Sequence, residues 1–185
     1  MTHWENVPAQ PVFWGQAIAG DFEGSGKKSI LFATRRASMT GLVQTDGSLI
    51  WWDAVDISPK SLPAIGCFDG DGKLQAIGIG FPDNEVRCYD TASGKVKWRM
   101  PVPDQGYVTD TATADINSDG RDEAVFTIGR TLYCVGTSPD GATGVLLWKI
   151  DLPSSIGPPV IADAGGEGRA SVLVAGSDGY VYCIE

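Results

Sequence analysis

Four segments of this chain align with one another at intervals of 48, 46 and 48 residues, and that repeat constrains its fold more than any other feature. They are DFEGSGKKSILFA from Asp21, DGDGKLQAIGI from Asp69, DINSDGRDEAVFT from Asp115 and DAGGEGRASVLVA from Asp163. Each opens on Asp, carries a loop glycine (Gly26, Gly72, Gly120, Gly168) and runs into an apolar stretch. Tryptophan is a second register mark, four residues after a glycine in GSLIW, GKVKW and GVLLW, at Trp51, Trp98 and Trp148. Trp4 precedes Trp51 by the same 47 residues that separate Trp51 from Trp98. The period divides 185 residues into four units, a size that suits one domain.

Within a unit the pattern predicts four short strands and no amphipathic helix. The first is rich in small residues (GQAIAG, PAIGCF, TATADI, PPVIAD). The second (ILFAT, AIGIG, AVFTI, VLVAG) is apolar without clean alternation, as expected for strands buried on both faces. The third is GLVQ, VRCYD, TLYCV or YVYCI, and the fourth carries the Trp in LIWWDAV, VKWRMPV and LLWKIDL. Glycine-rich turns (DGS, ASGK, SPDGATG, SDG) suit hairpins that need positive φ. Four-stranded antiparallel units of this length predict an all-β fold, a β-propeller of four four-stranded blades in a single domain over residues 1–185. The units run over about 15–55, 62–103, 109–153 and 157–185.

The chain starts just before a fourth-strand Trp and stops after a third strand, so residues 1–8 are expected to supply the strand that the last blade lacks. Such an offset removes two exposed sheet edges. Three assemblies accommodate four blades: a closed four-bladed ring, half of an eight-bladed ring completed by a second copy in a homodimer, or an excised part of a longer chain.

Composition narrows the partners. A net charge of −9 and a pI near 4.5 leave nothing to neutralise a phosphate backbone, so nucleic acid is not expected as a partner. No apolar run reaches 18 residues, so no membrane contact is expected. The N-terminus MTHWENVPAQPVFW lacks the basic and apolar regions of a signal peptide. Cys88, Cys134 and Cys183 recur at one repeat position, set against Gly41 in the first unit, and Cys67 lies on an inner strand. Equivalent positions in adjacent blades are too far apart for disulfides, and neither C-x-x-C nor a second histidine offers a zinc site, so these thiols read as small buried hydrophobes. Free cysteines fit a cytoplasmic protein.

The segment Asp115-Ile116-Asn117-Ser118-Asp119-Gly120-Arg121-Asp122-Glu123 resembles the D-x-N-x-D-G-x-x-D/E calcium loop of FG-GAP (VCBS-type) propeller repeats. The stretches YDTASGKVKWRM (Tyr89 to Met100) and GSDGYVYCIE (Gly176 to Glu185) are similar to PQQ-like repeats. The resemblance covers nearly the whole chain and implies the propeller fold, with an extracellular setting if this is an excised domain. It does not imply the quinone cofactor. It departs from the family in blade number, which is usually seven or eight.

Calcium takes six to eight oxygen ligands, which a tight turn can supply from alternate residues. The Asp115 loop offers the side chains of Asp115, Asn117, Asp119 and Glu123 and the carbonyl of Arg121; the bland alternative is an Asx-rich turn that caps backbone amides. Weaker sets are Asp21, Glu23 and Ser25 in the first loop, and Asp163 with Glu167 in the fourth. The Asp69 loop reads as two residues shorter and as binding nothing. No nucleophile motif and no Ser/His/Asp set is present, so no catalytic residue is assigned.

Propellers usually bind ligands on the loops that enter each innermost strand and those that join the second and third strands. Those loops hold Trp14, Gln16, Arg35, Arg36, Lys60, Asp83, Asn84, Tyr107 and Asp110, a set with aromatic and cationic members that suit a glycan. The expected function is a non-enzymatic binding or scaffold module, calcium-stabilised, that recognises a glycan or protein partner. The alternative is part of a carbohydrate-active enzyme resembling calcium-dependent, rhamnogalacturonan-type polysaccharide lyases, with Lys60, Tyr107 or Arg35 as base.

Overall fold

A computed structural model of the chain describes residues 15–34, 39–54, 63–80 and 85–185. Blade 1 comprises β1 (Gly15–Gly20), β2 (Ser29–Thr34), β3 (Met39–Gln44) and β4 (Leu49–Ala54). Blade 2 follows with β5 (Ala64–Gly66), β6 (Gln75–Ile79), β7 (Glu85–Asp90) and β8 (Val96–Pro101). Blade 3 is β9 (Ala112–Ala114), β10 (Glu123–Ile128), β11 (Thr131–Thr137) and β12 (Gly144–Asp151). Blade 4 has three strands, β13 (Val160–Ala162), β14 (Ser171–Ala175) and β15 (Val181–Ile184). Each sheet is an antiparallel meander in chain order, and the described residues contain no helix. The all-β propeller architecture read from the repeat is therefore the architecture of the molecule. The strand expected to complete blade 4, residues 1–8, lies outside the described residues.

The repeat is a packing rule. The innermost strands β5, β9 and β13 are neighbours in turn, so successive blades stand side by side. On each second and third strand, alternate side chains point forward to the next blade or back to the previous one. Forward residues Ile77, Ile79, Val86, Cys88 and Trp98 of blade 2 share one core with rear residues Ala124, Phe126, Ile128, Tyr133 and Val135 of blade 3. A second core joins Val125, Leu132 and Cys134 of blade 3 to Val172, Val174, Tyr182 and Ile184 of blade 4. A third joins Leu31, Leu42 and Trp51 of blade 1 to Ala76, Tyr89 and Val96 of blade 2. Strand β10 is buried along its whole length, which explains why its sequence does not alternate.

Two registers differ from the sequence expectation. Cys88, Cys134 and Cys183 pair with Ile77, Val125 and Leu173 on their second strands, and in blade 1 that place belongs to Leu42 opposite Leu31, not to Gly41. Gly41 instead makes room for Phe32, whose ring would lie 2.6 Å from an added Cβ. The third-to-fourth-strand ladders of blades 1, 2 and 3 share one bulge, and the offset arises because the β3–β4 hairpin, residues 44–48 between Val43 and Leu49, is one residue shorter than residues 90–95 between Tyr89 and Val96. All four cysteines are free; Cys88 and Cys134 are buried as expected, but Cys183 is exposed and Cys67 is half-buried, so these two are not buried hydrophobes.

Candidate functional site

The loops between first and second strands have one geometry in all four blades. The last first-strand pair, Gly20–Ser29, Gly66–Gln75, Ala114–Glu123 and Ala162–Ser171, closes a loop of equal length each time. Position one of the loop is thus Asp21, Cys67, Asp115 and Asp163. The Asp69 loop is not shorter; Asp69 sits at its third position, and cysteine replaces the opening aspartate. Positions four and six adopt positive φ in every blade, at Gly24, Gly70, Ser118 and Gly166 and at Gly26, Gly72, Gly120 and Gly168. Ser118, at φ 60, is the one non-glycine residue among them.

This register explains the recurring aspartate. Asp115 accepts the amides of Asp119 (3.0 Å) and Gly120 (2.9 Å). Asp21 does the same for Ser25 and Gly26, and Asp163 for Glu167 and Gly168. In blade 2 the Cys67 Sγ accepts the Gly72 amide at 3.3 Å, in the same place. Position nine is a buried polar residue in every blade, Ser29, Gln75, Glu123 or Ser171. Gln75 and Glu123 each accept the amide of position two, from Phe68 (2.7 Å) and Ile116 (2.9 Å).

In the Asp115 loop a side-chain amide stands between two acids, while both Asp115 oxygens are taken by backbone amides. The Asn117 amide nitrogen donates to Asp119 Oδ2 (3.2 Å) and Glu123 Oε1 (3.3 Å), so a partial positive charge stands between two carboxylates. Burial pushes the Glu123 carboxyl above its ordinary range, against the pull of the Ile116 and Asn117 amides, and the nearby Asp119 and Asp115 push the same way. A cation beside Glu123 would offset that cost, but the Asp115, Asp119 and Glu123 carboxylates of this loop do not meet in one cluster; among the described residues the ligand atoms that do are those of the blade 2 loop. Arg121 anchors the loop to blade 3's outer hairpin, its guanidinium donating to the carbonyls of Ser138 and Pro139. The weaker loops have committed their side chains elsewhere: Glu23 accepts the Ser29 hydroxyl, and Glu167 pairs with Arg169. In blade 2, Cys67, Asp69 and Asp71 bring their ligand atoms within 4.8 Å of one another, but the Lys97 ammonium is bound to Asp69.

On the loop face, Tyr107 and Asp110 lie on the segment that enters β9, and the Tyr107 side chain is 70% exposed. Its carbonyl accepts the Gly129 amide, which ties it to the β10–β11 turn. Gln16 lies on β1 opposite Ala33. Trp14, Arg35, Arg36, Lys60, Asp83 and Asn84 lie outside the described residues.

Blade 4 contributes a cluster that sequence reasoning missed. Tyr182 donates to Asp178 (2.5 Å), and Tyr180 stands beside it with ring centroids 6.5 Å apart and is 68% exposed. The Tyr182 hydroxyl holds the Asp178 carboxyl below its usual range, with help from the Tyr180 amide and Ser154. An added Cβ at Gly176 would meet Ser154 Oγ at 2.8 Å and the Tyr182 ring at 3.0 Å, so glycine is needed under the cluster. The signal was the Y-V-Y alternation after SDG, which places both tyrosines on one strand face.

Residues 82–184 match the family described as outer membrane protein assembly factor BamB, a PQQ-like repeat. No curated protein matches the sequence. Among solved structures, the fold is similar to BBS1N in complex with ARL6DN (TM-score 0.68, 11% identity, 91% of this chain and 53% of that one). It is similar also to the Bacillus licheniformis rhamnogalacturonan lyase PL11 (TM-score 0.64, 16% identity, 88% and 40%). A third similar structure is BamB from Moraxella catarrhalis (TM-score 0.57, 16% identity, 84% and 42%). The chain thus spans between two fifths and about half of the length of each of these structures.

Proposed function

Because the chain belongs to the PQQ-like repeat family of outer membrane protein assembly factor BamB, we propose that it is a non-enzymatic propeller module that binds a macromolecular partner on its loop face. The observation that carries this reading is the pair of exposed tyrosines, Tyr107 and Tyr180, each with a carboxylate nearby in its loop, Asp110 and Asp178. Aromatic rings with a polar handle supply contact area at low entropic cost, on proteins and on sugars alike. The similar structures include one solved with a protein partner and one named as a lyase of a polysaccharide, which supports protein or glycan as the partner class. The remaining candidates on this face, Trp14, Gln16, Arg35, Arg36 and Lys60, would widen the contact.

We assign the Asp115 loop a structural calcium ion, held by Asp115, Asn117, Asp119, Glu123 and the Arg121 carbonyl, as the FG-GAP likeness of that segment implies. The ion would fix the loop in place of the Asn117 amide. The binding reading is tested with a glycan array and a proteome-scale protein array, using the chain and its Tyr107→Ala/Tyr180→Ala double variant. Specific binding lost in the variant is the expected result. Turnover of a polysaccharide, abolished by Tyr107→Phe or Lys60→Ala, would instead favour the lyase-like alternative.

A further inference from the structure

We draw no further inference here: the strongest candidate, the side-chain cluster of Cys67, Asp69 and Asp71 in the loop between β5 and β6 of blade 2, already has the Lys97 ammonium bound to Asp69, and no second observation among the described residues points to a metal in its place.

Discussion

The indole of Trp98 on blade 2 lies flat against Gly144 on blade 3, close enough that a Cβ at Gly144 would fall 2.5 Å from the ring. Its Nε1 donates to the Thr137 hydroxyl at 3.2 Å. Trp51 repeats the arrangement one blade earlier, over Gly94 and with its Nε1 on the Thr91 carbonyl at 2.7 Å. The repeated tryptophan is therefore a clasp onto the outer hairpin of the following blade, not a sugar platform. Gly144→Ala is expected to cost about 1–3 kcal/mol by overpacking, and Trp98→Ala about 3–5 kcal/mol by cavity formation. Urea unfolding measures both. Gly157→Ala, whose Cβ would stand 3.7 Å from its nearest neighbour, serves as the tolerated control.

Ser118 is the strained member of its loop set, since three of the four blades place glycine at that left-handed position. Replacing it by glycine should stabilise the chain by about 1 kcal/mol, the steric cost of a side chain there less the flexibility that glycine adds to the unfolded state. Thermal unfolding without added metal is the measurement. A loss of stability in Ser118→Gly would mean that the serine hydroxyl has a partner worth more than the strain.

Glu123 links the loop to the calcium ion proposed for it. Its folded carboxyl titrates above its ordinary value, so the ionised form burdens the folded state at neutral pH, and that burden is relieved as pH falls through the raised value. Without calcium, Glu123→Gln should therefore be at least as stable as the wild type at neutral pH, with the difference vanishing in acid. With calcium the order should reverse, because the variant loses a charged ligand and with it any calcium-dependent rise in Tm. Differential scanning calorimetry in chelator and in millimolar calcium separates the two. A calcium response unchanged in Glu123→Gln would remove Glu123 from the ligand set.

How far the sequence reached is clearest in blade 2. Period and strand order were legible because each depends on one residue type at a fixed place: a glycine where φ must be positive, a tryptophan at one place in the fourth strand. The loop of blade 2 was misregistered because its letters, DGDG, imitate the opening aspartate, while the residue that fills that role is Cys67. A thiol sulfur accepting the Gly72 amide has no compositional signature. The offset of Leu42 against Gly41 was hidden for a similar reason, since the shorter hairpin between β3 and β4 drops a residue from a turn without changing the strand pattern. The loop face was the least legible. Its residues are not held to one type at one place in every repeat, so no periodicity marks Asp178 and Tyr180.

Thr109 fastens the loop face to the blade beneath it. Its hydroxyl accepts the Thr127 amide at 3.2 Å and lies 2.8 Å from the Thr127 hydroxyl, both residues being buried. Thr109→Val keeps the shape and strands the Thr127 amide without a partner, at a cost of about 1–3 kcal/mol. Hydrogen exchange of the Thr127 amide should accelerate accordingly. Because Tyr107 and Asp110 flank Thr109 in sequence, partner binding on this face should weaken along with it.

Cys88 and Cys134 separate buried thiols from reactive ones. Burial pushes each thiol up to about 12, so neither forms thiolate at neutral or mildly alkaline pH. In the folded chain both should resist an aromatic disulfide reagent at mildly alkaline pH, and both should react at once in denaturant. Peptide mapping after labelling assigns the sites. Because each thiol faces the next blade, its labelling requires two blades to part, and its rate reports the opening of that seam. The Cys88 rate should rise in Trp98→Ala, which loosens the seam between blades 2 and 3, while the Cys134 rate, set by the seam between blades 3 and 4, should not change. Equal acceleration at both sites would show that the blades open together as one cooperative unit rather than seam by seam.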